Sequence, residues 1–355
     1  DPEIALLEIM TAIKKDQPIE TASGKFSQLN YNAIAYTKTA QWMKLLETEL
    51  GKTTFDKLMQ EYYKRWKFKH PYPEDFKKLA EEVSGKNLDK TFALLNTKGS
   101  IQKTVKKDLR VAAFFSMKET TKHNYIFLSP AIGFNNYDKF MIGGLIHNYT
   151  VPTAKFQFVV APLYATGSKK FNGTGKITYN VYPGNKGAKM EISANVAKFS
   201  ADTFTDSTGT VNYLQFTKIA PSIKYTFANK DPRSTLRKYI QWTSFFISET
   251  TLRFQRDTIL QQDVITYPKE QRYVNQLQFV IDNNRVLYPY HAALQAEQGK
   301  GFVRFNFTGN YFFNFAEGGG MNVRLFAGKF IYTGEQTFLT QYETDRYHLN
   351  MTGPK

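Results

Sequence analysis

The stretch from Val303 to Phe315, VRFNFTGNYFFNF, alternates apolar and polar side chains along its whole length. Because a β-strand directs successive side chains to opposite faces, this alternation predicts a strand with one largely aromatic face and one polar face. Strands of globular proteins usually have about 5–6 residues, whereas a tilted strand that crosses a bilayer needs roughly 9–11. The length of the stretch leaves two classes open, a membrane barrel and a large soluble sandwich.

The composition favours the membrane class. The chain contains 30 Phe and 22 Tyr, yet its mean hydropathy is −0.45, and no run approaches the 18 apolar residues typical of a membrane helix. Barrel strands combine these properties, since each apolar residue alternates with a polar neighbour. The absence of cysteine excludes a disulfide framework, a thiolate metal site and a cysteine nucleophile.

The positive charge is unevenly distributed. Residues 1–100 carry 16 basic and 14 acidic side chains, whereas the remaining residues carry 31 basic and 17 acidic ones. These basic residues are scattered singly through strand-like segments and form no helical stripe. We therefore expect lipid headgroups or lipopolysaccharide phosphates as partners, and no nucleic acid.

The hydrophobic period changes from helical to strand-like near residue 100. Helices are predicted over about 31–50, 53–67 and 73–84, with Gly51 and Gly85 at two helix ends and Thr53 as a cap. About ten long strands follow, joined consecutively by turns. We therefore predict an α+β multidomain protein: an all-α helical domain (1–98), a linker (99–107), and an incomplete antiparallel up-and-down transmembrane β-barrel (108–355).

The helical third contains a tyrosine motif, Y-x4-Y-x-K, formed by Tyr31, Tyr36 and Lys38. With the segments NYNAIAYTKTAQWMKLLETELG and FDKLMQEYYKRWKFKHPYPEDF, residues 15–95 resemble the helical C-terminal part of the gluzincin zinc aminopeptidases, the family of aminopeptidase N and leukotriene hydrolase. The resemblance implies that Tyr36 donates its hydroxyl to the oxyanion formed on the peptide carbonyl, and that Tyr31 supports it. Read from spacing alone, the same tyrosines are half-buried packing residues.

The sequence departs from that family at the metal site, which the family builds from H-E-x-x-H and a further glutamate. None of the five histidines is followed by Glu, and no two are three or four residues apart: they are His70, His123, His147, His291 and His348. We therefore expect no metal ligand in this chain, and zinc only if an upstream segment carries H-E-x-x-H.

The stretches SPAIGFNNYDKFMIGGLIHNY and PLYATGSKKFNGTGKITYNVYPG are similar to the outer-membrane barrel domain fused behind such peptidases in some bacteria. This resemblance covers residues 125–335 and implies location in a bacterial outer membrane, with the helical domain on the periplasmic side. The turn-like composition of the last residues, 351–355, adds the expectation that the chain is a fragment of a longer protein.

Three functions remain open from the sequence. The first is an outer-membrane-anchored zinc aminopeptidase that acts on peptides, to which this chain supplies part of the active site. The alternative is a non-catalytic outer-membrane barrel, scaffold or porin that docks other envelope proteins, and the third is a soluble carbohydrate-binding sandwich. Lys176, Arg304 and Arg324 are candidate anion-selecting residues on the polar strand faces, or else simply solvated or salt-bridged ones.

Overall fold

The computed structural model describes residues 2–101, 107–120, 122–184, 187–257, 259 and 262–334. The chain divides into two units: unit 1 comprises Asp1–Lys106 and Lys230–Ser234, and unit 2 comprises Lys107–Asn229 and Thr235–Lys355. Each unit is built from one type of secondary structure, helices in unit 1 and strands in unit 2.

Unit 1 contains six α-helices, one π-helix and two short 3-10 helices in its described residues. They are α1 (Pro2–Ala12), a 3-10 helix (Ser23–Lys25), α2 (Gln28–Asn30), the π-helix (Tyr31–Lys38), α3 (Thr39–Leu50), α4 (Lys52–Trp66), α5 (Pro73–Ser84), α6 (Asp89–Ala93) and a 3-10 helix (Leu94–Asn96). Among the helices that the structure describes, none is both long and apolar enough to cross a membrane.

The helix ends follow the local sequence with one exception. Helix α5 begins at Pro73, the backbone N–H of Tyr72 donates to the Asp75 carboxylate at 2.9 Å, and Gly85 ends the helix in the left-handed conformation. Gly51 separates α3 from α4 at a φ of 82°, which glycine adopts without steric cost. The predicted cap at Thr53 is wrong, because α4 already begins at Lys52 and has no side-chain cap.

Apolar side chains of α3 to α6 form the main core of unit 1. Trp42 packs edge-on against Phe92, with ring centroids 5.1 Å apart, and its indole N–H donates to the Thr91 carbonyl at 2.8 Å. The buried members of this core are Trp42, Leu46, Leu50, Leu58, Leu79, Ala80, Leu88, Phe92 and Leu95. The core fixes the helices that follow the tyrosine motif.

Within its described residues, unit 2 contains a twelve-stranded sheet and a separate two-stranded hairpin. The strands are β1 (Asp108–Ala113), β2 (His123–Asn135), β3 (Lys139–His147), β4 (Phe156–Ala165), β5 (Phe171–Val181), β6 (Gly187–Thr205), β7 (Val211–Phe227), β8 (Leu236–Thr250), β9 (Arg253–Asp257), β10 (Gln262–Thr266), β11 (Lys269–Asn283), β12 (Tyr290–Gly299), β13 (Phe302–Asn314) and β14 (Gly320–Tyr332). Sheet neighbours follow chain order, except that β8 pairs with β11 because β9 and β10 form the hairpin.

The predicted fold class is wrong, because the sheet is open. Strands β1 and β14 lie at opposite ends of the strand order, and within the described residues they do not pair with each other. Strand β1 also runs parallel to β2, whereas every neighbour in an up-and-down barrel is antiparallel. Alternation within a strand is a local property, but closure requires pairing between the most distant strands, and the sequence pattern does not encode it.

On β11 to β13 the sheet buries polar side chains and exposes large apolar ones. On β13, Arg304 and Asn306 are 6% and 8% exposed, whereas the intervening Phe305 is 45% exposed. Cross-strand partners continue this arrangement, since Phe305 lies opposite Ala296 and Arg304 opposite Glu297. We call the exposed side the apolar face; its large side chains include Ile132, Phe134, Phe140, Ile142, Phe156, Tyr164, Phe171, Ile177, Tyr179, Ile192, Val196, Ile219, Ile223, Ile240, Trp242, Phe246, Leu277, Phe279, Leu294, Phe305, Phe313, Val323 and Leu325.

Hydrogen bonds connect a group of buried side chains on the opposite side, the polar face. The Glu297 carboxylate accepts from the amides of Gln276 and Gln295, both at 2.6 Å, and from the guanidinium of Arg304. A buried polar group without such partners would cost about 1–3 kcal/mol. Around Glu297 the polar face is therefore an internal hydrogen-bond network and not an ordinary solvated surface.

Asp138, in the β2–β3 turn, joins three hairpin segments through its fully buried carboxylate. Its oxygens accept hydrogen bonds from the Ser168 hydroxyl at 2.5 Å, the Asn135 amide at 2.9 Å, and the Ser200 hydroxyl and amide at 2.7 and 2.8 Å. Burial alone would raise the pKa of Asp138, but these hydrogen bonds outweigh it and lower the pKa to about 2. The ionised form is therefore the one that stabilises unit 2.

We predict that Asp138 makes unit 2 sensitive to acid. Because its folded-state pKa of about 2 lies below the ordinary value of 3.8, its contribution is present above about pH 4 and is lost as the pH falls towards 2. That contribution is about 2 kcal/mol. Denaturant unfolding followed by the strand circular-dichroism signal should show this loss in the wild type and not in Asp138→Asn. The exposed Asp202→Asn variant is the control; equal pH profiles for wild type and Asp138→Asn would contradict the assignment.

Candidate active site

Tyr31 and Tyr36 lie at the start and in the second half of the π-helix, with their side chains in contact. Their ring centroids are 5.8 Å apart at an interplanar angle of 73°, and Phe26 packs edge-on against Tyr31 at 6.1 Å. Both side chains remain accessible, Tyr31 at 41% and Tyr36 at 60%. The motif tyrosines therefore form an exposed pair and not a buried packing contact.

The π-helix explains how residues five apart in sequence meet. In an α-helix each residue advances by about 100°, so positions i and i+5 point roughly 140° apart. A π-helix hydrogen-bonds residue i to residue i+5, which brings these positions towards one side. The predicted continuous α-helix over 31–50 thus has the right extent at its C-terminal end, but its first two turns have a different geometry.

Hydrogen bonds at both ends hold the π-helix. At its C-terminal end, the backbone N–H and the hydroxyl of Thr39 both reach the Ile34 carbonyl, the hydroxyl at 3.0 Å. At the N-terminal side, the Ser27 hydroxyl accepts from the backbone N–H of Asn30 at 3.3 Å. These contacts supply partners for groups that a change of helical register leaves unpaired.

Lys38, the third residue of the motif, forms a buried ion pair. Its ammonium group lies 3.2 Å from the Asp16 carboxylate, with both side chains 1% exposed, and it donates to the Thr97 carbonyl at 3.0 Å. The same Asp16 oxygen accepts from the backbone N–H of Gly99 at 2.6 Å. Lys38 therefore anchors the π-helix to the segments on either side and does not face the tyrosine hydroxyls.

A second buried contact fixes the loop that precedes α2. The Asn30 side-chain amide donates to the Lys15 carbonyl at 2.9 Å and to the Gln17 side chain at 3.0 Å. Gln17 in turn donates to the Lys25 carbonyl at 3.0 Å and accepts from the Ser27 amide at 2.9 Å. Sequence reasoning missed Asp16, Gln17 and Asn30, because polar residues in a short loop carry no signal of burial.

The electrostatics of the pair favour a neutral Tyr36. Hydrogen bonding with the Tyr31 side chain raises the pKa of Tyr36 above its ordinary value of 10.0, and the charge interaction with Tyr31 acts in the same direction. A hydrogen bond that raises the pKa is one that favours the protonated phenol. Tyr36 consequently stays protonated at neutral pH, on an accessible side chain.

The described residues do not fit a zinc site. They contain no group of three or more His, Cys, Asp or Glu side chains arranged to hold a metal ion. His70 lies on the surface of unit 1, whereas His123, His147 and His291 belong to unit 2, and His348 lies outside the described residues. We therefore derive no catalytic step through a metal from this chain.

We predict that Lys38→Met destabilises unit 1 by about 3–5 kcal/mol, since it leaves the Asp16 carboxylate buried without its cation. The control is Lys44→Met, which removes an exposed ion pair with Glu47 and should cost less than about 1 kcal/mol. Thermal unfolding monitored by the helical circular-dichroism signal measures both. Equal losses for the two variants would show that the buried pair does not anchor the π-helix.

Comparison with known proteins identifies part of unit 1. A family model for the Peptidase family M1 domain matches residues 6–94, a range that contains Tyr31, Tyr36 and Lys38. No curated protein and no solved structure matches the chain. The family match does not extend to the sheet, so the resemblance of residues 125–335 to an outer-membrane barrel domain is not confirmed. Residues 6–94 thus form a gluzincin aminopeptidase-like part, similar to the domain of a zinc-dependent peptidase family.

Proposed function

We propose that residues 6–94 take part in peptide-bond hydrolysis, with Tyr36 as a hydrogen-bond donor to the reacting carbonyl. The observation that carries this proposal is the exposed contact between Tyr31 and Tyr36, formed by a π-helix inside the segment that matches the peptidase family. π-helical segments are rare and occur frequently at functional sites.

The proposed role follows from charge development on the substrate. When water adds to a peptide carbonyl, the carbonyl oxygen becomes an oxyanion, and donors fixed near it stabilise the transition state more than the ground state. Tyr36 supplies a neutral phenol that donates one hydrogen bond. Tyr31 touches the Tyr36 ring, so we assign it a positioning role.

Zinc is part of this proposal only because the matched peptidase family is zinc-dependent. The described residues supply no ligand set, so hydrolysis requires a metal site built by residues other than these. To this chain we assign the donor Tyr36, the positioning residue Tyr31, and the buried ion pair of Lys38 and Asp16.

We predict that Tyr36→Phe lowers kcat for an aminoacyl-coumarin amide substrate by roughly 10²–10³ while changing KM little, as expected for a donor that acts in the transition state. Tyr31→Phe should reduce kcat less. The assay uses the native polypeptide, with its zinc content measured in parallel.

The matched control is Tyr63→Phe, an exposed tyrosine on α4 that should leave both constants unchanged. Unchanged turnover in Tyr36→Phe, or an inactive native polypeptide, would refute the proposed role. A fall in activity accompanied by a fall in stability would point to folding instead, so the unfolding temperature of each variant is measured as well.

We also infer that the apolar face contacts membrane lipid, because large apolar side chains are exposed along this side of the sheet. A contiguous exposed apolar surface beyond a few hundred Å² marks an interaction site, and here such side chains continue across successive paired strands from β2 to β14. Tyr164 contacts Phe171 and Phe134 contacts Phe140 on this face, both at ring distances of 5.3 Å. Membrane lipid is the partner that can cover a broad apolar surface without having a complementary shape of its own.

Strand β14 offers a matched test of lipid contact. Leu325 belongs to the apolar face and is 62% exposed, whereas the exposed Asn322 lies on the other side of the same strand. We predict that Leu325→Lys weakens binding to phospholipid vesicles at least about tenfold, or ~1.4 kcal/mol, and that Asn322→Lys does not.

Vesicle flotation of the full chain, with detergent removed, measures this binding. Equal binding of both variants, or recovery of the wild type free of vesicles, would refute the lipid contact. Recovery of the native protein in bacterial outer-membrane fractions would test the predicted location, which remains a separate proposal.

A further inference from the structure

Four basic side chains on the polar face lie near one another on successive strands. They are Lys176 on β5, Lys189 on β6, Lys224 on β7 and Arg237 on β8, and we call them the basic cluster. Strand pairing places them on one side of the sheet: Lys224 lies opposite Glu191, two residues from Lys189, and also opposite Gln241, four residues from Arg237.

Two of these cations converge on the ring of Tyr239. The Lys224 ammonium lies 3.9 Å from the ring centroid, and the Arg237 guanidinium carbon lies 5.4 Å from it. An aromatic face attracts each cation separately, but it does not neutralise either one. The ring therefore holds two like charges close together.

The carboxylates nearby do not balance this charge. Glu191 pairs with Lys189 at 2.9 Å, and Asp282, the cross-strand neighbour of Arg237, lies 3.5 Å from His291. Among the residues that the structure describes, neither Lys224 nor Arg237 has a carboxylate within salt-bridge distance.

Two other cations of the polar face have carboxylate partners. Arg304 pairs with Glu297, and Arg272 pairs with Glu249 at 2.8 Å. At the basic cluster, burial lowers the pKa of Lys224, and the positive charge of Arg237 lowers it further. The cluster therefore disfavours the protonated form of Lys224. Such a cluster is destabilising unless a bound anion neutralises its positive charge.

We propose that the basic cluster binds the phosphate group of a ligand, with Lys224 and Arg237 as its principal contacts. A guanidinium group matches two phosphate oxygens with two parallel N–H donors, and a lysine ammonium adds a compact charge. Inorganic phosphate or a phosphomonoester carries more negative charge at neutral pH than a carboxylate, and so offsets more of the positive charge of the cluster. The site rests on the geometry of unit 2 alone, independently of the peptidase and lipid proposals.

The test measures binding of inorganic phosphate to the full chain by titration calorimetry. We expect the double variant Lys224→Gln/Arg237→Gln to lose at least about tenfold in affinity, or ~1.4 kcal/mol. The control is Lys238→Gln, which removes the same charge from the adjacent residue of β8, on the opposite face of the sheet. Unfolding temperatures establish that each variant is folded.

A second arm distinguishes a free phosphate from a lipid headgroup. The same variants are floated with phosphatidylglycerol vesicles and with phosphatidylcholine vesicles. Loss of phosphatidylglycerol binding in the double variant alone indicates the headgroup, whereas loss of binding to inorganic phosphate without any vesicle effect indicates a soluble phosphorylated ligand. Absence of binding in both arms, or equal binding by the double variant and Lys238→Gln, overturns the site.

Discussion

Buried polar side chains need hydrogen-bond partners, and this requirement shapes the polar face of unit 2 around Glu297. A sheet that buries apolar side chains is stabilised by their removal from water, but here the shielded side carries Gln276, Gln295, Glu297 and Arg304. Their mutual hydrogen bonds replace those to water, so they hold adjacent strands in one register: a slip by one residue would break every contact. The large apolar side chains lie on the apolar face, where their exposure to water is unfavourable.

The same requirement acts on the tyrosine pair of unit 1. Lys38 and Asp16 are each costly to bury alone, and their pairing removes most of that cost only while the π-helix keeps Lys38 in place. Because Lys38 follows Tyr36 by two residues, the ion pair also anchors the backbone next to Tyr36. The buried ion pair thus anchors the helical segment that carries the exposed phenol, and the Tyr36 ring itself contacts Tyr31.

Local sequence signals predicted local structure, but they did not predict features that depend on contacts between distant residues. Proline, glycine and acidic residues placed α5 correctly, because the physics of a helix end lies within a few residues. The tyrosine motif was found from its resemblance to a family, but its π-helical geometry was not, since it depends on Thr39 and on partners as distant as Thr97. The predicted barrel was wrong for a related reason. Alternation of apolar and polar residues defines the two faces of a sheet, whereas closure of a barrel depends on which strands pair with each other.

The candidate anion-selecting residues show this limit most clearly. Lys176, Arg304 and Arg324 were equivalent in the sequence, as single basic residues on polar strand faces. The structure separates them, because Arg304 is buried with Glu297, Arg324 is exposed on β14, and Lys176 belongs to the basic cluster. What distinguishes a neutralised cation from one available to a ligand is the residue on the neighbouring strand. Register, and not composition, therefore determines where this basic sheet can hold an anion.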